Sequence, residues 1–179
     1  VTIIPLQEIP RWIDKDDRPI IGIQMASLGA ISGQILLVFS QPSAYNLMEL
    51  LVGNETRGKT TWITQIGISS LKEIGNIVIS SYLSTLSSLS GIPVFSSCPQ
   101  FTDGLPSTVI KSVFGGFSAK KQQSFILIET MFNEQSSSVT GKFFMAFDSA
   151  SMKIILKACD NAARSKKTDK KASCGKDRT

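Results

Sequence analysis

Histidine is absent from this sequence of 179 residues. Ser-His-Asp and Cys-His catalysis both depend on an imidazole, so the chain can use neither mechanism. The usual imidazole metal sites are excluded for the same reason. Any catalysis by this chain must therefore depend on other side chains.

Cysteine and long apolar runs are also scarce. The three cysteines, Cys98, Cys159 and Cys174, are an odd number and lack the spacing of zinc ligands. This pattern predicts reduced thiols and a cytoplasmic location rather than a disulfide scaffold. No apolar run approaches the roughly 20 residues that a membrane helix needs, and no signal peptide is visible, so no membrane contact is predicted. The first residue is valine rather than methionine, which favours a chain whose upstream residues are missing.

Net positive charge is confined to the C-terminal end. The formal charge is +5, and residues 164–179 hold seven basic and two acidic residues, which leaves twelve of each sign in the rest. This apolar-poor segment is predicted to be a disordered, solvated basic tail. Because the neutral body does not interleave basic residues with aromatic ones, no nucleic-acid partner is predicted.

The remaining residues, 1–163, are predicted to form a single α+β domain. Apolar, β-branched runs at 19–27 and 31–40 predict a hairpin, and similar runs at 124–132 and 140–147 predict two further strands. The helical spacing of apolar residues predicts helices after Gln41 and at 68–90, 107–117 and 149–163.

The helix predicted at 68–90 carries one polar stripe. With about 100° of rotation per residue, Ser69, Glu73 and Asn76 fall within about 60° of one another, opposite the apolar side. Gly91 stands where a left-handed residue would end the helix. A carboxylate and a carboxamide three residues apart therefore point the same way, off the apolar face.

The spacing Ser69-x3-Glu73-x2-Asn76-x22-Pro99 resembles the S/D-x3-E-x2-N-x22-P signature of the CheC-type chemotaxis phosphatases. That family includes CheX and the phosphatase domain of the flagellar switch protein FliY. The sequence EIGNI, from Glu73 to Ile77, is common in that family. The resemblance implies that Glu73 and Asn76 are catalytic and that Ser69 and Pro99 support the motif.

The resemblance also implies a function. The expected activity is a cytoplasmic protein phosphatase of chemotaxis signalling, which hydrolyses the aspartyl phosphate of the response regulator CheY. CheY is the expected partner, and the resemblance implies the deamidase CheD as a second one. No cofactor is expected in this chain, because the regulator carries the Mg²⁺ ion. Asn76 is expected to orient the attacking water, and Glu73 to pair with a lysine of the regulator.

A structural interpretation of the same residues stays open. Ser70 and Glu73 fit a capping box, S-x-x-E, which would make the polar stripe an ordinary helix start. Apolar residues at helical spacing before Ser70 favour an earlier start. The low helix propensity of asparagine also gives no reason for Asn76 to stand inside a helix.

Two other functions stay open. A non-catalytic module that binds CheY, as flagellar switch proteins of this fold do, would use the same surface without hydrolysis. A nucleotide-binding P-loop is the remote alternative, because Gly53–Thr60 reads GNETRGKT and fits G-x4-G-K-T. A P-loop follows a buried strand, whereas the residues before Gly53 are predicted to be helical.

An internal repeat relates the two ends of the domain. A shift of 108 residues, without a gap, places Gly33–Leu51 on Gly141–Cys159, so a strand followed by a helix recurs. Two α-β-β-β-α units, residues 1–53 and 62–163, are therefore predicted. CheC-like proteins form such a pseudo-twofold pair, in one mostly antiparallel sheet with long helices packed on it.

The first unit has no counterpart of the helix at 68–90, which would precede Val1. We therefore expect at most one site, and an uncovered apolar face over the first-half strands at 19–27 and 31–40. Self-association through that face is predicted. A truncated chain or a partner that supplies the helix would also account for the gap.

Overall fold

The computed structural model of the chain describes residues 2–4, 13, 18–52, 63–118, 125–134 and 137–173. Its strands are β1 (Thr2–Ile4), β2 (Ile20–Leu28), β3 (Gly33–Ser40), β4 (Phe95–Ser96), β5 (Gln100–Gly104), β6 (Phe125–Glu134) and β7 (Ser137–Phe147). Its helices are α1 (Gln41–Val52), α2 (Gln65–Ser90), α3 (Pro106–Ser118) and α4 (Ser149–Ser173). The segment Gly53–Thr60, which resembles a P-loop, lies outside the described residues.

The described strands form one antiparallel sheet. Their order is β1-β6-β7-β3-β2, and both β4 and β5 pair with the outer edge of β2. Helices α1, α2 and α4 contribute to the core on one face of the sheet. Helix α3 contributes to the core on the other face. The predicted α+β class, with helices packed on a mostly antiparallel sheet, is confirmed.

The register of β3 and β7 confirms the internal repeat. Leu36 pairs with Phe144, its own equivalent under the shift, and Gly33 and Phe39 pair with Phe147 and Gly141. The repeat equivalents of the paired residues Gly33 and Phe147 are Gly141 and Phe39, which pair with each other as well, so the pairing is unchanged when the two halves are exchanged. A pseudo-twofold axis therefore passes between Leu36 and Phe144.

Two hydrogen bonds obey the same symmetry. The Ser32 N–H donates to Ser151 Oγ at 2.9 Å, and the Thr140 N–H donates to Ser43 Oγ at 3.4 Å. Ser32 and Thr140 are equivalent under the repeat, and so are Ser43 and Ser151. Each half thus supplies, from the first turn of its helix, the acceptor for an amide of the other half, which lies just before β3 in one case and within β7 in the other.

The two halves interleave in the sheet. Strand β1 of the first half pairs with β6 of the second, and β5 of the second half pairs with β2 of the first. The pseudo-twofold axis exchanges these two pairings. Neither half therefore completes its part of the sheet with its own strands.

The prediction of an uncovered apolar face on the first-half strands is wrong. Residues on one side of β2 and β3, including Ile23 and Leu37, are buried in the core that α1 and α2 share. Residues on the other side, including Ile20 and Val38, are buried in the core that contains α3. Because the halves interleave, α2 of the second half covers strands of the first. Self-association through that face is therefore not supported.

The asymmetry between the halves lies on the helices instead. Met48 of α1 is buried, and a Cβ at Gly67 of α2 would overlap its sulfur atom. Leu156 of α4 is the repeat equivalent of Met48, yet half of its surface is exposed (50%). Within the described residues, the first half supplies no counterpart of α2 that could cover Leu156.

Helix α4 also differs from its prediction. The sequence predicts a disordered tail from Arg164, but the backbone is helical through Ser173. The segment from Ser149 to Ser173 contains neither glycine nor proline, and basic residues stabilise the C-terminal end of a helix. Cys159 of α4 is exposed. None of the described helices is long and apolar enough to cross a membrane.

Candidate functional site

The polar stripe lies on α2, which starts earlier than its apolar pattern predicts. Thr64 precedes the helix in an extended conformation, and its hydroxyl accepts a hydrogen bond from the Gly67 N–H at 3.0 Å. This contact satisfies one of the amides that a helix start leaves without a partner. Ser70 is therefore inside the helix, and its interpretation as the N-cap of a capping box is wrong.

The end of α2 is as the sequence predicts. Gly91 adopts the left-handed conformation with a φ of 67°, and its N–H donates to the Ser87 carbonyl at 2.9 Å. Since a side chain is strained at that φ, the glycine ends the helix at low cost. The result is a helix of 26 residues that packs on the sheet and carries Glu73 and Asn76 near its middle.

Helix α2 has one buried stripe and one exposed stripe. Its buried positions recur every four residues, at Gly67, Leu71, Gly75, Ile79 and Leu83. On the opposite side, Ser69 and Glu73 are exposed, and Asn76 is half-buried at the edge of the stripe. The structure thus brings three of the four predicted site residues onto one outward surface.

A glycine inside the motif allows α2 to pack at short distance from the sheet. A Cβ atom at Gly75 would overlap the side chain of Ile23, in the middle of β2. Gly75 lies between Glu73 and Asn76, so this close contact of helix and sheet falls within the motif. The position of both site side chains therefore depends on a contact that only glycine permits.

Pro99 lies away from the stripe, in the short connection of residues 97–99 between β4 and β5. Two hydrogen bonds hold this connection to β2: the Ala26 N–H donates to Ser97 Oγ, and the Ser97 N–H donates to the Ala26 carbonyl, both at 2.9 Å. The next residue, Gln100, pairs with Gln24 of β2. Pro99 thus lies between two residues that are bonded to or paired with β2, and the supporting role expected of it stays a prediction.

A hydroxyl contacts the amide of the site. Ser80, one helical turn beyond Asn76, donates from its Oγ to Asn76 Oδ1 at 3.4 Å. The sequence motif does not include Ser80. The only signal in the sequence is its spacing, since residues four apart lie side by side on a helix.

Two large apolar side chains flank Glu73 on the exposed side of α2. Ile66 is 66% exposed and Ile77 is 57% exposed. At about 100° per residue both lie within about 40° of Glu73. Exposed isoleucines beside an exposed carboxylate make a surface suited to contact with another protein.

Chemically, the stripe offers a carboxylate, a carboxamide and hydroxyl groups. Over the ranges that the structure describes, no three His, Cys, Asp or Glu side chains gather in a group that could hold a metal ion. The arrangement is therefore suited to hydrogen bonding and to charge pairing with a partner that approaches α2 from outside.

Comparison with known proteins places the fold. No protein-family model matches the sequence. The structure resembles Thermotoga maritima FliY with a TM-score of 0.64 and 15% sequence identity, over 84% of this chain and 75% of that one. It resembles the chemotaxis protein CheX of Vibrio vulnificus with a TM-score of 0.51 and 15% identity, over 80% of this chain and 93% of that one. The chain thus has the fold that its motif resemblance implies, while the roles of Ser69, Glu73, Asn76 and Pro99 stay predictions.

Proposed function

We propose that this chain is a phosphatase that hydrolyses the aspartyl phosphate of a CheY-type response regulator in chemotaxis signalling. One observation carries the proposal. The motif residues Ser69, Glu73 and Asn76, which were identified from spacing alone, lie together on the outward face of α2 in a fold like that of FliY and CheX. Their outward position on a helix packed against the sheet leaves them accessible to a protein substrate, as the proposed function requires.

Asn76 is assigned the central chemical role. An aspartyl phosphate is a mixed anhydride, so its hydrolysis mainly requires a water held in line with the phosphorus atom. A carboxamide can accept a hydrogen bond from that water and donate one to it, and its neutrality avoids repulsion of the phosphoryl oxygens. Its half-buried position on α2 limits its freedom before the partner arrives.

Glu73 is assigned to recognition of the partner. A carboxylate is repelled by the phosphoryl group, so Glu73 is expected to pair with a cation beside the phosphorylated aspartate. Its exposure on α2 leaves it accessible for such a contact. The Mg²⁺ ion that neutralises phosphoryl charge in this chemistry belongs to the regulator, so no step requires a metal held by this chain. CheD is proposed as a further partner on the motif resemblance alone.

The test is release of phosphate from radiolabelled phospho-CheY with and without the protein. We expect the wild-type chain to accelerate release and Asn76→Ala to slow turnover by roughly 100-fold, the scale on which one positioned polar group acts. The control is the melting temperature of Asn76→Ala, which should stay close to that of the wild type because the residue is outside the core. Near-normal turnover by a folded Asn76→Ala protein would contradict the assignment.

A module that binds the phosphorylated regulator without hydrolysing it is the second candidate. The exposed Ile66 and Ile77 favour it, because they suit binding whether or not chemistry follows. The same assay separates the two functions. Tight binding of phospho-CheY together with an unchanged rate of phosphate release would identify a binding module.

A further inference from the structure

Ser80 and Thr85, two hydroxyl residues of α2, donate hydrogen bonds to different kinds of acceptor. Thr85 donates to the backbone carbonyl of Ser81, four residues back, at 3.0 Å. That choice is usual for Ser and Thr inside helices. Ser80 instead donates to the side-chain oxygen of Asn76. Its hydroxyl is therefore directed at the amide of the site rather than at the helix backbone.

This bond restricts the carboxamide of Asn76. An amide oxygen has two lone pairs, and Ser80 engages one of them. The amide has a second lone pair and two N–H donors beyond the bond to Ser80. Because the terminal torsion of asparagine is otherwise broad, a fixed partner for the oxygen selects one orientation of the amide.

We propose that Ser80 is a positioning residue, which holds the Asn76 amide in the orientation that receives the attacking water. This inference rests on the proposed phosphatase function. In this role Ser80 acts through Asn76, by fixing the direction of its amide. At 3.4 Å the bond is long, so its effect is on the direction of the amide rather than on the stability of the helix.

The experiment compares Ser80→Ala and Ser80→Thr, with Ser84→Ala as the matched control. Ser84 lies one turn further along α2 and is exposed, and it has the same side chain and the same propensity change. We expect Ser80→Ala to lower kcat about threefold to tenfold, the range for one ordinary hydrogen bond, with KM unchanged. Ser80→Thr keeps the hydroxyl and should recover most of the turnover, and Ser84→Ala should match the wild type.

A double-mutant cycle tests whether Ser80 acts through the amide. In an Asn76→Ala background, Ser80→Ala should have no further effect on turnover. An additional loss of the same size there would overturn the inference, because Ser80 would then act independently of Asn76. Equal kcat for Ser80→Ala, Ser84→Ala and the wild type would overturn it as well.

A measurement without activity separates this inference from the proposed function. The order parameter of the Asn76 side-chain N–H₂ group, measured by NMR in the free protein, should fall in Ser80→Ala and stay high in Ser80→Thr. If the amide loses order in this way but no protein hydrolyses phospho-CheY, the phosphatase proposal fails and the positioning contact stands. If Asn76 is needed for turnover but its amide is equally ordered without Ser80, only the positioning inference fails.

Discussion

Replacing Gly75 by alanine is predicted to destabilise the protein, although the same change in most helices has the opposite effect. Alanine exceeds glycine in helix propensity by about 1 kcal/mol. At Gly75, however, the added Cβ would overlap Ile23 in the middle of β2. Both Ile23 and the Gly75 position are buried, so neither side can move freely into solvent.

The expected size follows from these two opposing terms. Overpacking in a core costs about 1–3 kcal/mol, which the gain in propensity offsets in part, so the net loss is about 0–2 kcal/mol. For a chain of this size that loss lowers the melting temperature by up to roughly 8 °C. Because the overlap lifts α2 from the sheet between Glu73 and Asn76, turnover should fall as well.

Gly116 of α3 is the matched control. A Cβ at Gly116 would meet no atom within 4 Å, so Gly116→Ala should be neutral or stabilising by up to about 1 kcal/mol. Thermal unfolding of both variants by circular dichroism gives the comparison. A Gly75→Ala protein that is as stabilised as Gly116→Ala, with normal turnover, would refute the close-approach argument.

A double-mutant cycle with Ile23→Ala identifies the clash itself. Ile23→Ala alone should cost about 2–5 kcal/mol, because it leaves a cavity under α2. In that background Gly75→Ala should cost less than it does in the wild type, with a coupling energy of about 0.5–3 kcal/mol. Additive losses would mean that the destabilisation has another origin.

The other predictions concern recognition and the pseudo-twofold contacts. Glu73→Lys should weaken binding of phospho-CheY more than Glu73→Ala does, because it places like charges together at the proposed lysine contact; equal, undiminished affinities in titration calorimetry would exclude α2 as the docking surface. Ser151→Ala removes the acceptor of the Ser32 N–H, and Ser151 is 1% exposed, so it should cost about 1–3 kcal/mol in urea unfolding. Its repeat equivalent, Ser43→Ala, removes a longer bond at 3.4 Å and should cost less; the reverse order would contradict this ranking by bond length and burial.

Local pattern was enough to place the polar stripe on the outward side of α2. The stripe of Ser69, Glu73 and Asn76 depends only on helical periodicity. Apolar residues that recur every three to four positions indicate that periodicity strongly. The ungapped repeat is matched by the pairing of β3 with β7, whose register is centred on the equivalent residues Leu36 and Phe144. Both features are properties of short segments, or of their comparison with one another.

Features that depend on distant segments were not predictable in this way. Helix α2 covers strands of the other half because β5 pairs with β2 and β1 pairs with β6. No local sequence pattern indicates these pairings between distant segments. The same limit explains Leu156, which has an apolar side chain at core spacing but is half exposed. The contact of Ser80 with Asn76 was missed for another reason, because many serines occur on α2 and spacing alone does not single one out.

The interleaved sheet has a consequence for how the chain reaches its native state. Thr2 pairs with Leu127, and Gly33 pairs with Phe147, so these pairings join segments that are far apart in sequence. Contacts of long sequence separation slow folding, because the entropy of closing the loop is lost before the contact forms. During synthesis, β1 and β3 leave the ribosome long before β6 and β7 exist, and their apolar faces have to wait for those partners. We therefore expect slow, late assembly of this sheet and a period in which the unfinished chain is prone to aggregate.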